Sequence, residues 1–246
     1  MVGPFLFETM ADTETLDDLV RRVDPDRWLA SRFIGDAAAR ADVIALFGLN
    51  YELARVAGGV TNALMGEIRL TWWREAMEEI AAGKPPRKHP NVEALAASGF
   101  DPNALAALSE ARFTDLDEGP LKDEGAVMAY VDGTAGALAV RAARRLDSSA
   151  DPHAVKGAAR AWGLSGLWRL KQSGRDRLPS DWTPADVQRR VEAQLRLARA
   201  EVKGLPVAAF PAVAPAALAR AYVGTRQMGE LEKKARLTLA VATGRF

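Results

Sequence analysis

The chain has 246 residues, with 33 lysines and arginines, 32 aspartates and glutamates, two histidines and no cysteine. The lack of cysteine excludes a disulfide framework and a thiolate metal site. No apolar stretch reaches the roughly 18 residues that a membrane-spanning helix needs, so we expect a soluble, cytoplasmic protein. Aromatic residues are not interleaved with the basic ones, which argues against a nucleic-acid-binding surface.

The net charge of +1 conceals a strong difference between the two halves of the chain. Residues 1–135 contain 13 basic and 23 acidic residues, whereas residues 136–246 contain 20 basic and 9 acidic ones. A basic half can contact phosphate groups, an acidic partner or an anionic membrane surface, so a peripheral membrane contact is one expectation. The alternative is that the two oppositely charged sets of helices simply attract each other.

Helix signals recur along the whole chain without an alternating strand pattern. Aspartate or threonine followed by proline predicts helix starts at residues 24, 101, 151 and 183, and Asp36 predicts the start of a longer helix. Glycines near residues 58, 83 and 204 predict helix ends. Two further helices are predicted over residues 124–146 and 216–241. With no repeat and no long linker, we predict one all-α domain over residues 1–246.

Residues 46–77 are the most informative part of the chain, because two apolar helical runs meet there at Gly58 and Gly59. At 100° per residue, Asn50 lies near the middle of the first apolar arc, and Arg69 lies inside the second. A buried guanidinium without an acid is costly, so Arg69 needs a partner. The alternative is that Arg69 reaches solvent past Trp72, and that Glu52, opposite the apolar arc, is solvated. The candidate acid partners of Arg69 are Glu52, Glu67 and Asp132.

The aromatic residues and the histidines have structural explanations. Trp72 and Trp73 point about 100° apart on one helix, which predicts core packing in an alanine-rich bundle. With Phe47, they would line a cavity for an apolar ligand if one persists. His89 lies in a proline-rich link and His153 in the first turn of a helix, so we predict that both are solvated rather than catalytic.

Several short motifs together resemble the squalene and phytoene synthase family. They are Phe33 with Arg40, GEIRLTWWR at residues 66–74, RAWGLSGLWR at residues 160–169 and the turn at Leu178 and Pro179, all in the family's order and spacing. The resemblance implies the α-helical isoprenoid synthase fold. Residues 66–77 are most similar to a non-enzymatic branch of the family that includes assembly factors of respiratory complex I.

Active members of this family join two prenyl diphosphates head to head and grip the diphosphate through Mg²⁺ bound by two aspartate-rich motifs. The resemblance places the first motif at Ala54, Arg55 and Gly58 and the second near Gly166 and Leu170, where no carboxylate stands. Mg²⁺ takes oxygen ligands, so the resemblance implies neither a metal site nor a cofactor. Mg²⁺ is expected only if carboxylates elsewhere bind it, with Glu67, Glu75, Glu78 and Asp132 as the candidates.

Three functional hypotheses follow from these residues. The first is a pseudoenzyme, a catalytically inactive binding or assembly protein, with complex I as one candidate target. The second is a prenyltransferase of terpenoid biosynthesis with relocated metal ligands, and the third is a bundle that binds an isoprenoid or lipid without chemistry. Arg169, with Arg55 and Arg160, is predicted to hold phosphate oxygens without metal, the alternative for each being simple solvation. The predicted pocket residues are Phe47, Asn50, Tyr51, Ala54, Arg55, Arg69, Trp72, Trp73, Gly166, Arg169 and Leu170.

Overall fold

The computed structural model describes residues 14–224 and 228–246, and these ranges contain α-helices but no β-strand. The all-α prediction is therefore confirmed. The helices are α1 (Leu16–Val23), α2 (Pro25–Ser31), α3 (Ala37–Arg55), α4 (Ala63–Ala81), α5 (Pro90–Ala96), α6 (Pro102–Phe113), α7 (Glu124–Val131), α8 (Ala137–Leu146), α9 (Pro152–Gln172), α10 (Pro184–Glu201), α11 (Ala219–Tyr222) and α12 (Glu230–Thr243).

Polar caps set most of the helix starts. The side chains of Asp24, Asp36, Asp101 and Asp151 each accept a hydrogen bond from a backbone N–H in the first turn. Thr183 forms a reciprocal capping box with the third residue of α10. The predicted starts of these five helices are confirmed, because a cap satisfies backbone donors within a few residues of itself.

Of the two further predicted helices, one is confirmed and one is wrong. Residues 124–146 are helical throughout, with the π-helical turn Asp132–Gly136 joining α7 to α8. The helix predicted over residues 216–241 is broken, because the chain runs in a 3-10 turn over Ala214–Leu218, forms the short α11 and resumes as α12. Helix α12 packs back against the 3-10 turn that precedes α11, a contact that one straight helix cannot make.

The core consists of two adjoining apolar clusters. Helices α1 to α6 contribute most of the first cluster, and helices α7 to α12 contribute most of the second. They meet along α8, where Leu138 and Ala142 join the first cluster while Ala139 and Ala143 join the second. Helix α9 packs against α8, α10 and α11, so its residues lie at the centre of the fold.

Candidate functional site

The family resemblance places the first metal motif at the end of α3 and in the turn at Gly58–Gly59. Ala54 is partly buried and Gly58 is exposed. A Cβ atom added at Gly58 would lie 2.9 Å from Nη1 of Arg175, which follows α9. A guanidinium therefore lies against one of the positions at which the resemblance places the first metal motif.

Arg69 on α4 reaches the same turn. Its Nη1 donates a hydrogen bond to the carbonyl oxygen of Gly59 at 3.0 Å. In the described part of the chain, no carboxylate lies within ion-pair distance of Arg69, so none of its predicted acid partners binds it directly. The hydrogen bond to the Gly59 carbonyl and the partial exposure of Arg69 to solvent stabilise its guanidinium in place of an acid.

Glu52 lies on the inner side of this turn. Its side chain is 11% exposed, and its Oε2 lies 3.6 Å from Nε of Arg55. Burial raises the pKa of Glu52, and the charges of Arg55 and Arg69 partly oppose that rise. The guanidinium of Arg55 also lies 5.5 Å from the ring centroid of Tyr51. The alternative in which Glu52 is solvated is wrong, because this side of α3 is also covered.

Two residues before Glu52, Asn50 belongs to a largely buried polar network. Its Oδ1 accepts a hydrogen bond from Nη2 of Arg112 at 2.9 Å. The other Arg112 nitrogen, Nη1, donates to Oδ2 of Asp115 at 3.2 Å and to the hydroxyl of Tyr130 at 3.1 Å. The Tyr130 hydroxyl donates to Oδ1 of Asp115 at 2.7 Å, and burial raises its pKa. Sequence reasoning missed this network, because its members lie on separate elements.

The family resemblance places the second metal motif on α9. A Cβ atom added at Gly166 would meet no atom within 4 Å, and Leu170, one turn later, is partly buried. One turn earlier, Trp162 is buried. This side of the site is therefore apolar and small, as the sequence predicts.

Arg169 is engaged with aromatic rings and with the buried carboxylate of Asp26. Its guanidinium lies 4.7 Å from the ring centroid of Trp162 and 4.3 Å from that of Tyr222. Its Nη1 lies 3.8 Å from Oδ2 of Asp26, to which the Tyr222 hydroxyl also donates a hydrogen bond. Burial raises the pKa of Asp26. The guanidinium of Arg27 lies 5.6 Å from the ring centroid of Trp162.

Arg160 binds a different acid. Its Nε and Nη2 donate to the two carboxylate oxygens of Asp132 at 2.7 and 2.6 Å. Asp132 is thus a partner of Arg160 rather than of Arg69. Arg160 and Arg169, two of the three predicted phosphate-binding arginines, thus interact with different carboxylates, those of Asp132 and Asp26.

The two tryptophans of α4 pack against His89. Trp73 is 1% exposed, and its ring centroid lies 5.1 Å from that of Trp72 and 4.9 Å from that of His89. Burial, with a smaller contribution from the charge of Arg55, lowers the pKa of His89 to about 4. The prediction that His89 is solvated is wrong, because the proline-rich link folds back over α4. His153 is exposed, as predicted.

This lowered pKa predicts a pH-dependent stability. The unfolded chain binds a proton at His89 near pH 6.5, whereas the folded chain does so only near pH 4. The stability that the folded chain gains by keeping His89 neutral is therefore fully present above pH 6.5 and is lost as the pH falls from 6.5 to 4. After allowance for the remaining exposure of the ring, the expected loss is about 1–2 kcal/mol.

The His89→Asn variant isolates this contribution. Asparagine retains a side-chain acceptor for the backbone N–H of Asn91, which His89 caps. The difference between wild type and variant in the free energy of unfolding, measured with urea, should shrink between pH 7 and pH 4.5. A difference that is constant over this range contradicts the assignment.

A small cavity lies where α3 faces α9. It has a volume of about 10 Å³, and its lining includes Phe47 and Trp162. This volume holds about one water molecule, whereas pockets for drug-sized ligands span roughly 300–1,000 Å³. This cavity alone is too small for a prenyl chain.

The donor atoms at the place of the first motif do not fit Mg²⁺. The residues described contain no group of three or more aspartate, glutamate, histidine or cysteine side chains that could hold a metal ion. The carboxylates considered as relocated ligands are engaged elsewhere or exposed. Glu75 pairs with Arg87, Glu78 with Arg74 and Asp132 with Arg160, while Glu67 is exposed.

Comparison with known families identifies the family of this chain. A family model described as squalene/phytoene synthase matches residues 20–189, which is most of the chain. The chain belongs to the squalene/phytoene synthase family. A crystal structure of a dehydrosqualene synthase in complex with ligand superposes with a TM-score of 0.70, covering 93% of this chain and 94% of that one. The two sequences are 13% identical, so this likeness shows the shared fold alone.

Curated relatives of this family member are similar over part of their length. The human protein described as "NADH dehydrogenase (ubiquinone) complex I, assembly factor 6" is 26% identical over 124 residues. The mouse protein of the same description is also 26% identical, and the bovine one is 23% identical. The matched segment spans 49% of this chain and 37% of the human protein.

The lengths and hydropathies of the helices in the described ranges were compared with those of membrane-spanning helices. None of the helices there is both long enough and apolar enough to cross a bilayer.

Proposed function

We propose that this member of the squalene/phytoene synthase family is non-catalytic and supports the assembly of respiratory complex I by binding a protein partner. The contact between Arg175 and Gly58 carries the non-catalytic part of the proposal. Ionising a prenyl diphosphate requires a metal ion that neutralises the leaving pyrophosphate, and carboxylates hold that ion. A guanidinium at a ligand position repels the metal instead.

The curated relatives support the assembly role. Their shared description concerns assembly of complex I, and the likeness extends over 124 residues of this chain. A protein that supports assembly acts by binding, which requires neither metal ligands nor a nucleophile. A partner-binding role therefore agrees with a family member whose metal site has been replaced by arginine.

A prenyltransferase with relocated metal ligands is the second candidate. The superposition on a dehydrosqualene synthase supports it, because the helical framework is shared. Three of the four carboxylates considered, Glu75, Glu78 and Asp132, would have to leave an arginine to bind Mg²⁺. Breaking these ion pairs would cost free energy, and the non-catalytic proposal does not require them to break.

Thermal unfolding tests the non-catalytic proposal. The unfolding temperature should be the same with farnesyl thiodiphosphate plus Mg²⁺ as with farnesyl thiodiphosphate plus EDTA, because no metal links the analogue to the protein. A ligand that binds only the folded state at 100 times its Kd adds about 2.7 kcal/mol of stability, which such a measurement detects readily. A Mg²⁺-dependent rise, together with pyrophosphate release from farnesyl diphosphate, would establish the enzyme.

Deletion of the chain tests the assembly role. Cells of the source organism that lack the chain should contain less assembled complex I on a native gel, and the wild-type chain should restore it. The Asn103→Ala variant, whose exposed side chain lies in the first turn of α6, serves as the matched control and should restore it equally. An unchanged amount of complex I in the deletion strain would refute the assembly role.

A further inference from the structure

A groove lies between the end of α8 and the loop that precedes α6, and we call it the α8 groove. It has a volume of about 670 Å³, and its lining includes Phe100, Val140 and Leu146. Pockets that hold small molecules span roughly 300–1,000 Å³, so this groove has the size of a ligand site. None of its lining residues belongs to the small cavity between α3 and α9 or to the positions of the two metal motifs.

One wall of the α8 groove is apolar and well packed. Leu105 of α6 lines it and is 1% exposed. Phe100 packs against the first apolar cluster of the core, Val140 packs against the second, and Leu146 packs against both. Side chains that are packed in this way keep their positions, so the apolar surface is formed before any ligand binds.

Arg141 of α8 supplies a positive charge to the groove. Its Nε donates a hydrogen bond to the carbonyl oxygen of Ala104 at 2.7 Å, and its Nη1 donates to that of Ala137 at 2.9 Å. Among the described residues, no group accepts a hydrogen bond from its Nη2, and no carboxylate lies within ion-pair distance of Arg141. Burial lowers the pKa of Arg141, and the charge of Asp101 partly opposes that change. An anion in the groove would offset this unpaired charge.

Arg144 lies three residues further along α8 and also lines the groove. Residues three apart on a helix are neighbours on its surface, so Arg141 and Arg144 can contact one anion together. Arg144 is exposed, and the described ranges hold no carboxylate within ion-pair distance of it. Arg145 differs, because its Nε donates to Oδ2 of Asp42 at 2.6 Å.

Two aspartates of the lining cap the backbone rather than pair with these arginines. Oδ1 of Asp101 accepts a hydrogen bond from the backbone N–H of Asn103 at 3.0 Å, and Oδ1 of Asp147 accepts one from that of Ser149 at 2.9 Å. The groove is therefore not basic throughout. It presents two guanidinium groups without carboxylate partners beside an apolar wall, which favours an anion at one end of an apolar ligand.

We propose that the α8 groove binds a small molecule that has an apolar body and a carboxylate group. Nη2 of Arg141 and the guanidinium of Arg144 bind the carboxylate, because hydrogen bonds between a guanidinium and a carboxylate are among the strongest in proteins. The apolar body lies against Phe100, Val140 and Leu146. The site goes beyond the proposed assembly role and does not depend on it.

Isothermal titration of the full chain with 1-naphthoate at low salt tests the site. 1-Naphthoate should bind, and Arg141→Gln should raise its Kd at least tenfold. Because Arg141→Gln also removes hydrogen bonds to two backbone carbonyls, the exposed Arg144 provides a second variant, and Arg144→Gln should raise the Kd at least fivefold. The Arg196→Gln variant removes an exposed arginine of α10 and should bind like wild type. Equal affinities of R144Q and R196Q, or no binding to wild type, would overturn the proposal.

Two further ligands test the two parts of the proposed chemistry. Naphthalene-1-carboxamide has the same rings without the charge, and acetate has the carboxylate without the rings. Each should bind wild type at least tenfold more weakly than 1-naphthoate. An amide that binds as tightly as 1-naphthoate would contradict the arginine contacts, and acetate that binds as tightly would contradict the apolar wall. All of these measurements use the purified chain, so their failure is separate from a failure of the deletion experiment.

Discussion

Replacing Asp115 by alanine is expected to lower the free energy of unfolding by about 3–5 kcal/mol. The side chains of Arg112 and Asp115 are 12% and 11% exposed, so the variant leaves a guanidinium largely buried without its carboxylate. It also removes the acceptor of the Tyr130 hydroxyl, which donates to Asp115 at 2.7 Å. An unmade hydrogen bond at a buried donor adds to the cost.

Urea unfolding monitored by tryptophan fluorescence measures this loss. Asp117→Ala removes an exposed acid two residues away and serves as the matched control, with an expected change within about 0.5 kcal/mol. The double variant R112M/D115L should cost less than Asp115→Ala, because it removes both charges together. Similar costs for Asp115→Ala and Asp117→Ala would show that the network contributes little.

Replacing Gly157 by alanine is the second large expected effect, with a loss of about 1–3 kcal/mol or more. An added Cβ atom would lie 2.8 Å from the backbone nitrogen of Ala198 and 3.0 Å from the carbonyl oxygen of Gln194. Both atoms belong to the backbone of α10 and cannot rotate away as a side chain can. Helices α9 and α10 must therefore separate.

Gly166→Ala on the same helix is the matched control. Its Cβ atom would meet nothing within 4 Å, so the change should stabilise the protein by up to about 1 kcal/mol through helix propensity. The two glycines should thus give opposite signs in thermal or urea unfolding. A stabilising Gly157→Ala would mean that α9 and α10 pack less closely than the structure shows.

The two predictions with large expected effects depend on contacts that a single helix does not reveal. Periodicity places Asn50 on the inward arc of α3, and the structure agrees. Its partner Arg112 lies 62 residues away, and nothing in the local pattern around either residue links them. The same holds for Gly58 and Arg175, whose approach depends on how α9 ends relative to α3.

The errors at His89 and Glu52 have one cause. Each residue has a polar local context, since His89 stands between prolines and Glu52 lies opposite an apolar arc. Local context predicts exposure only when nothing else packs there. The link before α5 folds His89 onto Trp73, and the turn after α3 brings Arg69 near Glu52.

The sequence by itself determined the helical class, most helix boundaries and the family, because caps, helix-ending residues and short motifs act within a few residues of one another. Only the tertiary structure decided which side chains meet at the turn after α3. Arg69 and Arg175 lie outside this turn in the sequence, and their approach to Gly59 and Gly58 follows from the tertiary fold rather than from any local pattern.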